Sequence, residues 1–193
     1  MKNILKTLID YSLFEKYDKD YFINNKILPL FENDISIKMA VCKNSKLETI
    51  KNDFNKVISF LEIDELELLF MISHIDQKTL LYSMALKAIS QNSFEKYVDK
   101  FLQELLSFSI NLRASDIHIE QYKDVILFKF RIDGRLKTFF AFYSEFFKLI
   151  SSYIKLISTL DMTQIRLPQD GRFALNIEDK KYDTIIKKAI INH

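Results

Sequence analysis

The stretch Val125-Ile126-Leu127-Phe128-Lys129-Phe130-Arg131-Ile132-Asp133-Gly134-Arg135-Leu136-Lys137-Thr138-Phe139-Phe140-Ala141-Phe142 reads as a β-hairpin, and its reading decides the fold class. Ile126, Phe128, Phe130 and Ile132 fall on one apolar face with the two-residue period of a strand, while Lys129, Arg131 and Asp133 end the other. Asp133-Gly134 is the strongest turn signal in the chain, because a type I′ two-residue hairpin loop needs positive φ at both central positions, which Asp-Gly accepts. Arg135 to Phe142 is then the returning strand.

Working outward, Ser93 opens a helix with an apolar stripe of Phe94, Tyr97, Phe101, Leu105, Phe108 and Leu112. After the hairpin, Ser144 and Glu145 start an amphipathic helix that buries Phe146, Leu149, Ile150, Tyr153, Ile157 and Leu160. A Pro168-Gln169-Asp170-Gly171 turn leads into a last strand, Arg172 to Ile177. The first ninety residues read as a smaller α/β unit. It has a helix from about Ile4 to Tyr17, strands at Ile27–Phe31 and Ile35–Val41, and a helix from Ser45 to about Ser59 with Glu48 completing a capping box. Pro29 confines the first of those strands to an edge or end. Leu66–Ile72 is a further strand candidate, and Asp76 caps a helix through Ile89. The polar break Ser90-Gln91-Asn92-Ser93 divides the chain. The expected architecture is α+β in two small domains, 1–90 and 91–180, followed by a tail, 181–193.

A length of 193 residues suffices for one domain or two small ones, and 48% hydrophobic with 28% charged residues is the balance of a soluble globular protein. A net charge of +2 is too small to argue for a nucleic-acid or anionic-membrane partner. The single cysteine, Cys42, forms no intrachain disulfide and suits a reducing cytoplasm. Lys6 and Asp10 interrupt any signal-peptide core, and no run approaches the ~20 apolar residues of a membrane span. A cytoplasmic location is expected, with membrane contact only through a partner. Gly134 and Gly171 are the only glycines, far apart, and neither precedes Gly-Lys-Ser/Thr. A phosphate-cradling P-loop needs glycines at short fixed spacing, so ATP hydrolysis by these residues alone is not expected.

Three segments, in order, carry a family resemblance: Arg113-Ala114-Ser115-Asp116-Ile117-His118-Ile119-Glu120, Phe130-Arg131-Ile132-Asp133-Gly134-Arg135-Leu136, and Leu160-Asp161 through Arg166-Leu167-Pro168-Gln169-Asp170-Gly171-Arg172. The chain resembles the traffic ATPases of type II secretion, type IV pilus assembly and DNA uptake. The resemblance implies that residues 91–180 are the α+β domain preceding a RecA-like motor that binds ATP and Mg, with no such cofactor held by this chain itself. More weakly, residues 1–90 resemble the family's N-terminal module, which implies docking to an inner-membrane platform protein. Full-length homologues would supply the motor domains as partners. Some relatives bind a cyclic dinucleotide through an Arg-Leu-Gly motif, which is absent here, so that ligand is not expected. Tyr153 stands where the family usually has Arg, Gln164 where it usually has Glu, and the tail from Tyr182 departs from its pattern. These departures suit a truncated or frameshifted member, with a stand-alone structural or adaptor protein as the alternative.

Arg131, Arg166 and Arg172 fall within the matching motifs. Arg binds phosphate bidentately and keeps its charge, and the resemblance implies that these arginines face a nucleotide held by a motor in trans. The opposing expectation pairs them with Asp116, Asp133 or Asp170 merely to hold strand ends and turns. Asp133, Gly134, Pro168, Asp170 and Gly171 are assigned structural roles within the motifs. Asp116, His118 and Glu120, at i, i+2 and i+4, share one face of a strand. Their residue types suit zinc or manganese, but a solvated strand face is the simpler expectation and no metal is predicted. An RNA-binding sheet is not expected either, because Phe128 and Phe130 alternate away from Lys129 and Arg131 whereas stacking needs aromatics on the charged face.

Overall fold

The computed structural model describes residues 8–48, 50, 54–90, 94–161, 163, 169–177 and 180–188. Element order is α1 (Leu13–Lys16), α2 (Lys19–Asn25), β1 (Ile27–Glu32), β2 (Ser36–Val41), β3 (Val57–Glu62), α3 (Glu65–Ile72), α4 (Ile75–Ser90), α5 (Phe94–Asn111), β4 (Asp116–Gln121), β5 (Val125–Ile132), β6 (Arg135–Tyr143), α6 (Phe146–Ile157), β7 (Gln169–Ile177) and β8 (Lys180–Lys188). The fold is α+β, as expected. β1 pairs antiparallel with β2, and β3 joins β2 in parallel. β4, β5 and β6 form an antiparallel meander, and β7 and β8 a separate two-stranded sheet.

The hairpin forms as read. Ile132 pairs with Arg135, and Asp133 and Gly134 take φ of 49° and 74°, the left-handed pair that closes a two-residue loop. Its packing is richer than a single apolar face, since Val125 and Leu127 on the opposite face are buried too. A register shift after Phe128 inserts Phe139, whose ring stacks on Phe130 at 4.4 Å. Phe101 of α5 packs on Phe128, Phe140 and Phe146. Such pairs contribute about 0.5–1.5 kcal/mol each beyond burial.

The first ninety residues contribute to the same core. Tyr11 stacks on Phe140 at 5.2 Å, Tyr82 meets Phe142 edge-on at 5.2 Å, and Phe70 meets Phe139 at 6.3 Å. One apolar cluster therefore takes in residues from both sides of residue 90. At the same junction the Lys78 side chain, with no exposed surface, donates to the carbonyls of Phe70 (2.9 Å) and Met71 (2.7 Å) at the end of α3. Its ammonium lies over the Phe70 and Phe139 rings. Helix-end carbonyls and ring faces both favour a cation there, while burial pushes its pKa well down.

Several expectations are corrected. Leu66–Ile72 lies in a helix, not a strand, because Asp64 caps the backbone N–H groups of Leu66 and Glu67 and acidic residues occupy the first turn. Of the helix expected from Ser45 to about Ser59, residues 49 and 51–53 lie outside the described residues and Ile50 is helical, but the Ser45 hydroxyl is engaged elsewhere. It accepts from the Cys42 N–H and donates to the Lys26 carbonyl, fastening the chain after β2, and Val57–Glu62 is a strand. The helix expected from Ile4 to Tyr17 is reduced, among the described residues, to Leu13–Lys16, since Asp10 N–H bonds to Leu30 O alongside β1. Gln169, Asp170 and Gly171 are not a turn but the start of β7. Lys180 and residues 181–188 of the expected tail pair along the whole of β7. Among the described residues no helix is long and apolar enough to cross a membrane.

Candidate functional site

The motif residues converge where β4 runs antiparallel to β5. The register sets Asp116 opposite Arg131 and His118 opposite Lys129, so strand alternation delivers acids and bases to one face and Ile117, Ile119, Phe128 and Phe130 to the other. On that face Arg131 Nε donates to Asp116 Oδ2 at 3.0 Å and to Oδ1 at 3.3 Å. His118 Nε2 lies 2.5 Å from Asp116 Oδ1 and 3.2 Å from an Arg131 Nη nitrogen. The Ser115 hydroxyl donates to Asp116 Oδ2 at 2.7 Å. One turn of the pleat away, Lys129 (2.6 Å) and the Tyr122 hydroxyl (2.7 Å) both donate to Glu120 Oε2.

The electrostatics follow from these contacts. The Ser115 hydrogen bond, aided by His118 and Arg131, holds the Asp116 carboxyl below its ordinary range. Burial pushes Glu120 up, but Lys129 and Tyr122 outweigh it and the net shift is downward. Glu67 of α3 is pushed up by burial and by Asp64, with Lys129 opposing. Asp116, His118 and Arg131 each leave more than a third of their side-chain surface open, whereas Glu120 and Lys129 are largely covered. The first trio is thus accessible to a ligand and the second pair acts as a brace.

Of the predicted residues, Asp116, His118, Glu120 and Arg131 come together on this face. Asp133 and Gly134 form the turn beyond it. Asp170, Gly171 and Arg172 lie on β7, where Arg172 is exposed and paired in register with Ile185, and Gly171 sits close against Leu160, with room for little beyond hydrogen. Arg166 and Pro168 lie outside the described residues. Ser115, Tyr122 and Glu67 were not singled out from sequence, and Lys129 was weighed only in the RNA-binding reading. Period-2 spacing places Lys129 on the acidic face, but only the register shows which carboxylate it meets. Among the described residues no group of three His, Cys, Asp or Glu side chains is placed to share a metal ion. The open groove lined by Phe14, Lys19, Ile75, Asp76 and Leu80 contains none of the motif residues.

Comparison with known proteins matches the Type II/IV secretion system protein family over residues 90–188. The putative type II secretion system protein E of Escherichia coli is 40% identical over 86 residues, covering 45% of this chain and 17% of its own length. The type II secretion system ATPase E of Vibrio cholerae is 33% identical over 94 residues, covering 49% of this chain and 19% of its own. The type II secretion system protein E of Xanthomonas campestris is 31% identical over 108 residues, covering 56% and 19% respectively. The chain thus spans less than a fifth of the length of these curated relatives. The family match runs through residue 188, into the segment whose sequence departs from the expected pattern. A match that takes in just over half of the residues, over the segment that carries all three motifs, places the chain in the type II/IV secretion system protein family.

Proposed function

We propose that this chain supplies the part of a secretion-type ATPase that lies before the motor. Residues 91–180 offer Arg131, Arg166 and Arg172 to ATP and Mg held by a motor domain in trans, and residues 1–90 dock onto an inner-membrane platform protein. The observation that supports this best is the half-exposed Arg131, carried on the β-meander and held, among the described residues, by Asp116 and His118, which are themselves partly open to solvent. A planar fork preset on a strand reaches an anionic group with little loss of side-chain freedom. The chain works in the cytoplasm, reaching the inner membrane through its partner, and needs neither nucleic acid nor a cyclic dinucleotide. The names of its relatives favour type II secretion, and pilus assembly and DNA uptake are the alternatives within the same reading.

The purified chain is expected to show no ATP turnover by itself. Added to a secretion ATPase motor domain that lacks its own preceding domain, it should raise turnover, and Arg131→Ala should lower that stimulation about tenfold or more. Stimulation that Arg131→Ala leaves intact would remove the nucleotide-facing role. The regular pairing of β8 along β7 favours a second reading, a stand-alone structural or adaptor protein. Reading the coding DNA beyond the His193 codon in all three frames separates the two: a Gly-Lys-Thr loop in any frame supports the motor reading, and its absence the adaptor.

A further inference from the structure

We propose that His118 is a proton-operated positioning residue that decides whether the Arg131 guanidinium is held on the sheet or is free to take a phosphate-like dianion. The inference rests on the reading above, which takes Arg131 to be an anion-binding group, and adds how that group is controlled.

The argument is one of donors and acceptors. His118 Nε2 lies within hydrogen-bond distance of Asp116 Oδ1 (2.5 Å) and of an Arg131 Nη nitrogen (3.2 Å). A carboxylate oxygen only accepts and a guanidinium nitrogen only donates. One ring nitrogen cannot satisfy both. Without a proton, Nε2 accepts from Arg131, and the guanidinium is tied at Nε by Asp116 and at Nη by His118. With a proton, Nε2 donates to Asp116 and faces the Arg131 Nη as donor against donor. A fully protonated ring adds repulsion between two cations. Asp116 is then shared between an imidazolium and the arginine, and the Nη edge, the part that grips phosphate bidentately, loses its partner on the protein. The trio is open to solvent, so a ligand can reach the freed edge.

Among the described residues the charged neighbours come from three elements. β4 contributes Asp116 and Glu120, and β5 contributes Arg131 and Lys129, the latter paired with Glu120. From α3, Glu67 acts on Lys129.

The test uses the whole purified chain, isotope-labelled for NMR. The His118 ring nitrogens and the Arg131 guanidinium nitrogens are followed from about pH 5 to pH 8. The Arg131 Nη signals should move with the His118 midpoint, and this movement should vanish in His118→Gln but persist in Glu67→Gln. Sulfate, whose charge is constant over that range, serves as the anion probe. Its affinity should rise roughly twofold to fivefold as the pH falls through the midpoint, the scale of one exposed charge pair, and stay flat in His118→Gln. Arg131 signals indifferent to the His118 titration, or a sulfate response equal in wild type and His118→Gln, would overturn the proposal. These readouts need no motor. A chain that fails to stimulate a motor but shows the coupled titration disposes of the nucleotide-facing role and leaves the His118–Arg131 linkage standing, whereas the reverse pattern removes only the linkage.

Discussion

Glu32 and Asp116 are each held by three side chains, yet they behave as opposites. Glu32, at the end of β1, receives Lys16, Tyr17 and Lys56, and its side chain is 6% exposed. Asp116, at the start of β4, receives Ser115, His118 and Arg131, and its side chain is 40% exposed. Burial alone would raise the Glu32 pKa, but its three donors bring it from an ordinary 4.5 to about 2. The lesson is that partner number does not separate a structural charge from an adjustable one. What separates them is whether water can replace a partner that leaves. Around Glu32 it scarcely can, and the cluster fastens α1 and the approach to β3 to β1. Around Asp116 it can, and partners compete.

The limiting case is Lys78, fully buried and, among the described residues, held by carbonyls and not by a carboxylate. Lys78→Ala should have the largest effect, about 3 kcal/mol or more of lost stability by urea denaturation, because it orphans two helix-end carbonyls and leaves a cavity against Phe70 and Phe139. Glu32→Gln should cost about 2 kcal/mol, as Lys16 and Lys56 lose their counter-charge. The same site has a pH signature. A carboxylate depressed on folding stabilises above its unfolded value, so the wild type should lose this contribution as pH falls from 4.5 towards 2. Glu32→Gln should lack that limb of the acid-denaturation curve. An identical acid limb in both proteins would mean that Glu32 is not the fastening described. Gly134→Ala should cost about 1 kcal/mol, since a φ of 74° strains any side chain even where space is open. Asp116→Asn should change stability least, by less than about 1 kcal/mol, as expected of an exposed pair. If Asp116→Asn destabilised as much as Glu32→Gln, the contrast between fastening and adjustable clusters would fail.

Legibility from sequence was uneven for physical reasons. The β5–β6 hairpin, the helix from Phe94 and the helix from Phe146 were readable because period and turn chemistry agree over long segments. Leu66–Ile72 was misread because a short apolar run suits a strand or a buried helix equally, and the deciding signal, Asp64 as cap, lies just outside it. Val57–Glu62 was missed because a parallel strand needs a distant neighbour, β2, that local pattern does not reveal. The candidate site was legible as three residues on one strand face and an arginine on another strand. Their meeting was one of the pairings weighed for the arginines, and Arg131 does pair with Asp116, but nothing local to Asp116 chooses it over Asp133 or Asp170.

By itself the sequence determined the local geometry: the left-handed Asp133-Gly134 turn, the alternation that separates charge from core on β4, and the lack of a glycine-rich phosphate loop among these residues. Those properties depend on backbone sterics and on side chains a few positions apart. Only the tertiary structure decided that aromatic residues from both sides of residue 90 share one core, that Lys78 ends α3 against the β6 ring of Phe139, and that one nitrogen of His118 stands between a carboxylate and a guanidinium. Those depend on register and packing between segments remote in the chain, where contact is settled by the burial of the whole surface and not by any single stretch.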